Sequence, residues 1–379
     1  MPTVVFVDAG KWDGFFQLAA RIRKVGCRVV RVSTAHGLHH RLVTRLVFHR
    51  FVELFDPSEL ADLGQLIAGE RVSDVQSIES LLAPVASGLG DWASTDLRRS
   101  LQRQLVLVDK LEASNFMADC GAAVPETVVL AGDLTTQAVA ARLGLPVVVK
   151  ARVGASGVGV RVAETHAALE EALAEARRAP GRHFAERFIR GESLSYAAMV
   201  GPTGVEQEIL TRAWHHQTSS RGPMSEHETI DDAGTIAVCR RVATATGCRG
   251  PVQIDVVRDE GGVPWLHDLN LRAWASVGCS MRAGIDFAEG YLRAIGIRED
   301  LPLLRSPAAG MRFSAFPIDL AEELSLGHYL KSLACFARAC RPYSKWFGKR
   351  YVVCEAFSLV LLVHYMAREL FRARRSRLW

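Results

Sequence analysis

The sequence predicts an α/β protein of several lobes, and three observations carry that expectation. Residues 1–33 read as strand, helix, strand; residues 147–162 read as two strand-like runs joined by a loop of small residues; residues 251–272, PVQIDVVRDEGGVPWLHDLNLR, read as a hairpin carrying acids and amides. A chain of 379 residues exceeds what one hydrophobic core organises, so two or three domains are expected.

Residues 3–8, TVVFVD, have the continuous apolar pattern of a buried strand. Gly10 permits a turn, Phe15, Phe16, Leu18, Ala19 and Ile22 recur at helical spacing, Gly26 ends that helix, and CRVVRVS is the next strand. This βαβ opening implies a parallel sheet. It contains no G-x-G-x-x-G, so no nicotinamide or flavin cofactor is expected there. Residues 35–100 hold His36, His39, His40 and His49 without metal-ligand spacing, and the Arg and His density at 39–50 reads as a solvated helix face.

From Leu101 the pattern is helical through LVLVDKLEASNFMADCGAAVP, with Gly121 and Pro125 ending it. A strand at 126–130, a helix at 134–143 and the strand VVVK, ending at Lys150, follow. The next loop places Gly154, Ala155, Ser156, Gly157 and Gly159 between two strands. Small residues there let backbone N–H groups approach phosphate oxygens, although a plain hairpin turn has the same composition. No G-K-[ST] closes the loop, so it is not a P-loop. A helix at 165–179 precedes a strand in which Phe184, Glu186 and Phe188 alternate, a break at Gly191, and the strand YAAMV. Residues 211–228 are polar and read as a loop able to cover an active site; a helix at 229–245 leads to the hairpin.

Within the hairpin, Val252, Ile254 and Val256 alternate with Gln253, Asp255 and Val257, and Gly261-Gly262 supplies the turn. Pairing across it brings Asp255 near Asp268 and Asn270. Two carboxylates and an amide oxygen are hard ligands suited to Mg2+, and a surface hairpin with solvated acids is the plainer alternative.

Composition excludes little. The net charge is +5, from 46 Lys and Arg against 41 Asp and Glu, and no RNA-binding or zinc-finger spacing accompanies it, so no nucleic-acid partner is expected. Eight cysteines form no C-x-x-C pair and suit reduced core thiols of a cytoplasmic protein; MPTVVFVDAG has no secretory-leader pattern. Residues 351–367 are mostly apolar and precede an Arg-rich end. They read either as a helix packed on the body or as an amphipathic helix lying on an anionic bilayer, being too short and too charged to span one.

Taken in order, these motifs resemble the ATP-grasp enzymes, among them biotin carboxylase, D-alanine-D-alanine ligase and the carbamoyl-phosphate synthetase large chain. The resemblance covers about residues 105–295: D-K with Lys110, P-V-V-V-K with Lys150, G-A-S-G-V-G, E-R-F-I-R-G-E, Q-I-D-V-V and H-D-L-N-L-R. It implies a Rossmann-like, pre-ATP-grasp lobe at 1–100, two α+β lobes at 101–190 and 191–300 that sandwich ATP, and a helical C-terminal extension at 301–379. It further implies that Lys110 and Lys150 hold phosphates and that Gly154, Ser156, Gly157 and Gly159 form the flap over them. Glu186, Arg187 and Ile189 would mark the hinge where adenine is read, largely by backbone groups. Asp255, Asp268 and Asn270 would hold Mg2+, or Mn2+ in its place, with Lys150 and Arg272 meeting the reacting groups. Two departures stand out. Asp268 lies where the family usually has Glu, and Glu192 directly follows Gly191, so that Ser193 occupies the usual place of the ribose acid.

The activity implied is an ATP-dependent ligase that turns a carboxylate into an acyl-phosphate and passes it to an amine in small-molecule biosynthesis. The alternative is a non-catalytic ATP-binding sensor or assembly module. Biotin carboxylation and D-alanine ligation are the less expected chemistries, because no biotinyl carrier segment is present and the N-L-R-A-W ending departs from the D-alanine subgroup. Arg212, His215, His216, Arg221 and Arg282 are basic candidates for an anionic substrate, and Cys279 reads as packing.

Overall fold

The structure, a computed structural model, describes residues 1–10, 13–130, 134–154, 157, 159–179, 181–216, 224–278, 280–298 and 306–314, with scattered positions between 331 and 356. Strands β1 (Pro2–Asp8), β2 (Arg28–Ser33), β3 (Arg50–Glu53) and β4 (Arg71–Ser77) form a sheet in the order β3-β2-β1-β4, with every pairing parallel. A parallel sheet needs cover on both faces, and the side chains of β1 divide accordingly. Val4 and Phe6 pack with α1 (Asp13–Lys24) and α2 (Leu38–Val47), while Val5 and Val7 pack with α3 (Leu63–Leu66) and α4 (Leu82–Ser87). On α2, Val43 and Val47 turn inward and Arg41 and Arg45 stay exposed, which is the solvated face the charge pattern implied.

The helical run expected from Leu101 is two helices, α5 (Thr95–Leu107) and α6 (Lys110–Asp119). Asp109 divides them: its Oδ1 accepts from Leu111 N at 3.0 Å as an N-cap, and its Oδ2 accepts from Arg152 Nε at 2.7 Å. The interruption places Lys110 at the first turn of α6, facing the centre of the molecule.

A second sheet is antiparallel and ordered β5-β8-β6-β7, from β5 (Thr127–Val129), β6 (Val147–Ala151), β7 (Val160–Ala163) and β8 (His183–Arg187). Helices α7 (Thr136–Leu143) and α8 (His166–Arg177) cover it through Val139, Leu143, Leu169 and Leu173. The third sheet, also antiparallel, runs β13-β12-β9-β10-β11-β14. It comprises β9 (Glu192–Gly201), β10 (Gly204–His216), β11 (Met224–Thr229), β12 (Gly250–Arg258), β13 (Pro264–Asn270) and β14 (Arg312–Ser314). One face packs Leu194, Tyr196, Ile254 and Val256 against α6 and α9 (Ala233–Ala245). On the other face Ala197 and Met199 meet α10 (Phe287–Ala294), and Ser193 and Ser195, four and two residues before Ala197, open onto a cleft.

The cover loop expected at 211–228 is strand over most of its length, β10 continuing to His216 and β11 starting at Met224, with 217–223 outside the described residues. Its polar residues lie along a paired ladder, Thr211 opposite Thr229 and Arg212 opposite Glu228, so polarity there belongs to a strand pair and not to a loop. The helix expected from 229 starts at Ala233, where Asp232 Oδ1 accepts from Thr235 N. Among the described residues no helix is long and apolar enough to cross a membrane; most of the Arg-rich tail, 357–379 entirely, lies outside them.

Candidate active site

A cleft of about 630 Å³ lies between the two antiparallel sheets. Its floor is the β12–β13 hairpin, whose register pairs Gln253 with Asn270 and Asp255 with Asp268. One extra residue, His267, bulges β13 opposite the Asp255–Val256 step. Beneath, Ile254, Val256, Leu266 and Leu269 are buried, which fixes the opposite face of the hairpin toward the cleft. The acids expected to converge therefore do so, with Asn270 beside them.

Two lysines from different elements, α6 and β6, meet these acids. Lys110 Nζ donates to both oxygens of Asp268, at 2.5 and 2.6 Å. Lys150, on β6, pairs with Glu186 Oε1 at 2.5 Å and donates to His267 O at 3.1 Å. Gln253 Nε2 donates to Ser195 Oγ at 3.0 Å, and that oxygen stands 3.5 Å from Asp255 Oδ1.

The electrostatics follow from burial. Asp255 is pushed above the usual carboxylate range by burial and by the charge of Asp268. Burial also raises Asp268, but Lys110 and Lys150 outweigh it and hold that carboxyl low. His267 is pushed down to about 3 by burial and by Lys150, so its ring is neutral at pH 7. Two desolvated carboxylates repelling one another across a ladder, with an amide oxygen adjacent, fit a hard divalent cation. Among the described residues no group of three or more His, Cys, Asp and Glu side chains assembles to hold a metal; what the hairpin brings together is Asp255 and Asp268, with Asn270 and Gln253 paired beside them.

The remaining expected residues divide. Gly154 and Gly157 line the cleft from the flap, and Gly159 has a positive φ of 77° with a Cβ position 2.8 Å from Ala151 Cβ. Ser156 lies outside the described residues. Arg187 and Ile189 line the hinge side. Glu186, expected with them at the hinge, lines the cleft beside Arg187 on β8, its buried carboxylate on Lys150. Arg272 lines the cleft and is held by Glu79, which follows Ile78 just past the end of β4, its Nε reaching Glu79 Oε1 at 2.6 Å.

Glu192 does not line the cleft. Strand alternation turns it away, onto Arg258 and toward Arg212 at 3.6 Å, and Ser193 faces inward in its place. Arg212 pairs with Glu228 at 2.8 Å and Arg282 is exposed, so neither basic candidate lines the cleft. The side chains of His215 and His216, and all of Arg221 and Cys279, are outside the described residues. Sequence reasoning missed Ser195, His227, Trp274 and Ser276 as lining residues, and Glu79 as the partner of Arg272. Alternation from Ser193 to Ser195 was the one available signal.

Residues 107–276 match the family described as the ATP-grasp domain. A D-alanine--D-alanine ligase of Chromohalobacter salexigens is 30% identical over 171 residues, 43% of this chain and 54% of that one. The chain thus spans about half the length of that relative. Among solved structures, an ADP complex of N5-carboxyaminoimidazole synthetase from Staphylococcus aureus superposes with a TM-score of 0.66 at 16% identity, over 86% of each chain. An L-amino acid ligase from Bacillus licheniformis gives 0.58 at 17% identity, over 78% of this chain and 74% of that one. At such identities the likeness is one of fold, mixed α/β throughout.

Proposed function

We propose, from the premise that this chain carries an ATP-grasp domain over residues 107–276, that it is an ATP-dependent ligase joining a carboxylate to an amine. The observation that carries the reading is the convergence of Lys110, Lys150, Asp255 and Asp268, drawn from separate elements, on one cleft large enough for a nucleotide and a small substrate. Val148 and Val162 on one wall and Val257 on the other would enclose the base, with hinge residues 187–191 at its edge. Lys110 and Lys150 would neutralise phosphates, and the Gly154 and Gly157 backbone would close over them.

Asp255, Asp268 and Asn270 would hold the divalent cation, which when bound supplies charge neutralisation between phosphate oxygens. Arg272, fixed by Glu79, would orient the substrate carboxylate for in-line attack on the γ-phosphorus, ADP leaving as the acyl-phosphate forms. An amine then attacks the carbonyl carbon, inorganic phosphate leaves, and the amine gives up its proton as the amide forms. No protein nucleophile takes part.

The relatives named for D-alanine and L-amino acid ligation make amino acids the first substrates to try, with the pathway and the amine open. A screen of carboxylates and amines for ADP release, repeated with Asp268→Asn, tests the reading: substrate-stimulated release reduced by roughly 10²–10³-fold in the variant is expected. Nucleotide binding without release from any pool would establish the second reading, a binding module, which the shortened Asp268 favours.

A further inference from the structure

We infer that Lys110 acts as the built-in counter-ion of Asp268 while the site is empty, so that cation binding at Asp268 is what frees Lys110 for the phosphates. The inference rests on the proposed nucleotide site and adds a coupling that the site itself does not require. Lys110 Nζ touches both carboxylate oxygens of Asp268, at 2.5 and 2.6 Å. A carboxylate engaged on both oxygens by an ammonium has its strongest lone pairs taken, and the ammonium has spent the charge that an anion would seek. Both side chains are mostly buried, with 11% and 20% of their surface exposed, so solvent screens the pair only in part. Lys110 is also anchored: Asp109 caps its helix and its own N–H donates to Arg152 O at 2.8 Å, which fixes where the ammonium can reach. Asp255 lies directly across the ladder, so Asp268 loses its counter-ion and faces a second carboxyl when the ammonium turns toward a phosphate. Metal-free nucleotide must therefore break the pair and leave two acids facing each other.

Calorimetric titration of the full chain with ADP, in EDTA and in Mg2+, tests this. The expected pattern is weak binding in EDTA and a rise with Mg2+ in the wild-type chain. Asp268→Asn, which is isosteric, should bind ADP in EDTA about tenfold more tightly than wild type, the scale of one charge-assisted hydrogen bond. A metal ligand without this second role would leave binding in EDTA unchanged on substitution. The gain should vanish in Lys110→Met/Asp268→Asn compared with Lys110→Met alone; a gain that persists there reflects loss of negative charge in general and overturns the inference. On the unaltered chain, acylation of Lys110 read by mass spectrometry should rise when Mg2+ alone is added. Protection of Lys110 that is indifferent to Mg2+ would also overturn it while leaving the nucleotide site standing. Absence of ADP binding in every condition would remove the proposed function itself.

Discussion

Two acid–cation pairs in this molecule make the same contact in opposite surroundings. Asp8 and Arg31 lie on the neighbouring strands β1 and β2, Oδ1 2.7 Å from Nη2, with essentially no exposed surface. Protein groups surround them. Arg31 also donates to Thr44 and to Gly10 O, Ser33 donates to Asp8, and the guanidinium lies 5.0 Å from the Phe16 ring centroid and 5.4 Å from that of Phe51. Lys110 and Asp268 instead stand on the wall of a cleft, with a second acid across the ladder. The difference teaches how to tell a structural pair from a functional one. Closure by protein on all sides locks charge into the fold, whereas an open volume beside unbalanced charge invites a ligand.

The sharpest way to break that comparison is to remove one partner from each pair. Arg31→Met should destabilise the chain by about 3–5 kcal/mol in denaturant unfolding, because the Asp8 charge is left buried and alone. Replacing both partners, Asp8→Leu with Arg31→Met, should recover most of the loss. Asp268→Asn should do the reverse: unfolding changes little, while substrate-stimulated ADP release falls by roughly 10²–10³-fold, the scale of one lost transition-state contact. An Asp268 variant that unfolds like Arg31→Met would erase the distinction between the two pairs.

How far the sequence foretold this follows from distance along the chain. The hairpin was legible because period-two alternation and Gly261-Gly262 set its register locally, and that register alone brings Asp255 to Asp268. The βαβ opening was legible for the same reason, each element being announced by its own apolar spacing. The Lys110–Asp268 pair spans 158 residues and the Arg272–Glu79 pair 193, so nothing local announces them. Asp109 was hidden inside a continuous helical pattern, although its capping role is what aims Lys110. Glu192 was misplaced by counting along the chain from Gly191, where the strand's alternation decides which of two neighbours faces inward.

A third acid sharpens the comparison through pH. Asp74 on β4 is buried and takes its hydrogen bonds from neutral groups: Tyr291 donates to it from α10, and Gln76 Nε2 donates at 2.8 Å. Burial pushes its carboxyl up to about 6. The folded chain therefore holds this proton more tightly than the unfolded chain does. The stabilisation is fully present below about pH 4 and is lost as pH rises through about 6. Unfolding free energy should fall by about 2–3 kcal/mol between about pH 4 and pH 7 relative to Asp74→Asn, because each tenfold gain in proton affinity on folding is worth about 1.4 kcal/mol. Parallel pH profiles for the two chains would show that hydrogen bonds serve this acid as well as a cation serves Asp8.

The smallest effect probes what holds the open pair in place. Ser195 and Gln253 stand behind Asp255, with Gln253 donating to Ser195 Oγ and that oxygen 3.5 Å from the carboxylate. Neither carries charge, and Gln253 Nε2 keeps Asp255 Oδ1 at 3.4 Å as an acceptor once the hydroxyl is gone, so Ser195→Ala should leave unfolding nearly unchanged. A ligand acid that loses its orienting neighbour binds metal less well, by about tenfold at the lower end of such effects. The Mg2+ concentration for half-maximal ADP release should rise by that factor in Ser195→Ala and return in Ser195→Thr, with ADP affinity in EDTA unmoved. If the Mg2+ requirement stays fixed while affinity in EDTA drops, Ser195 serves the nucleotide directly, and the open pair is supported by the hairpin register alone.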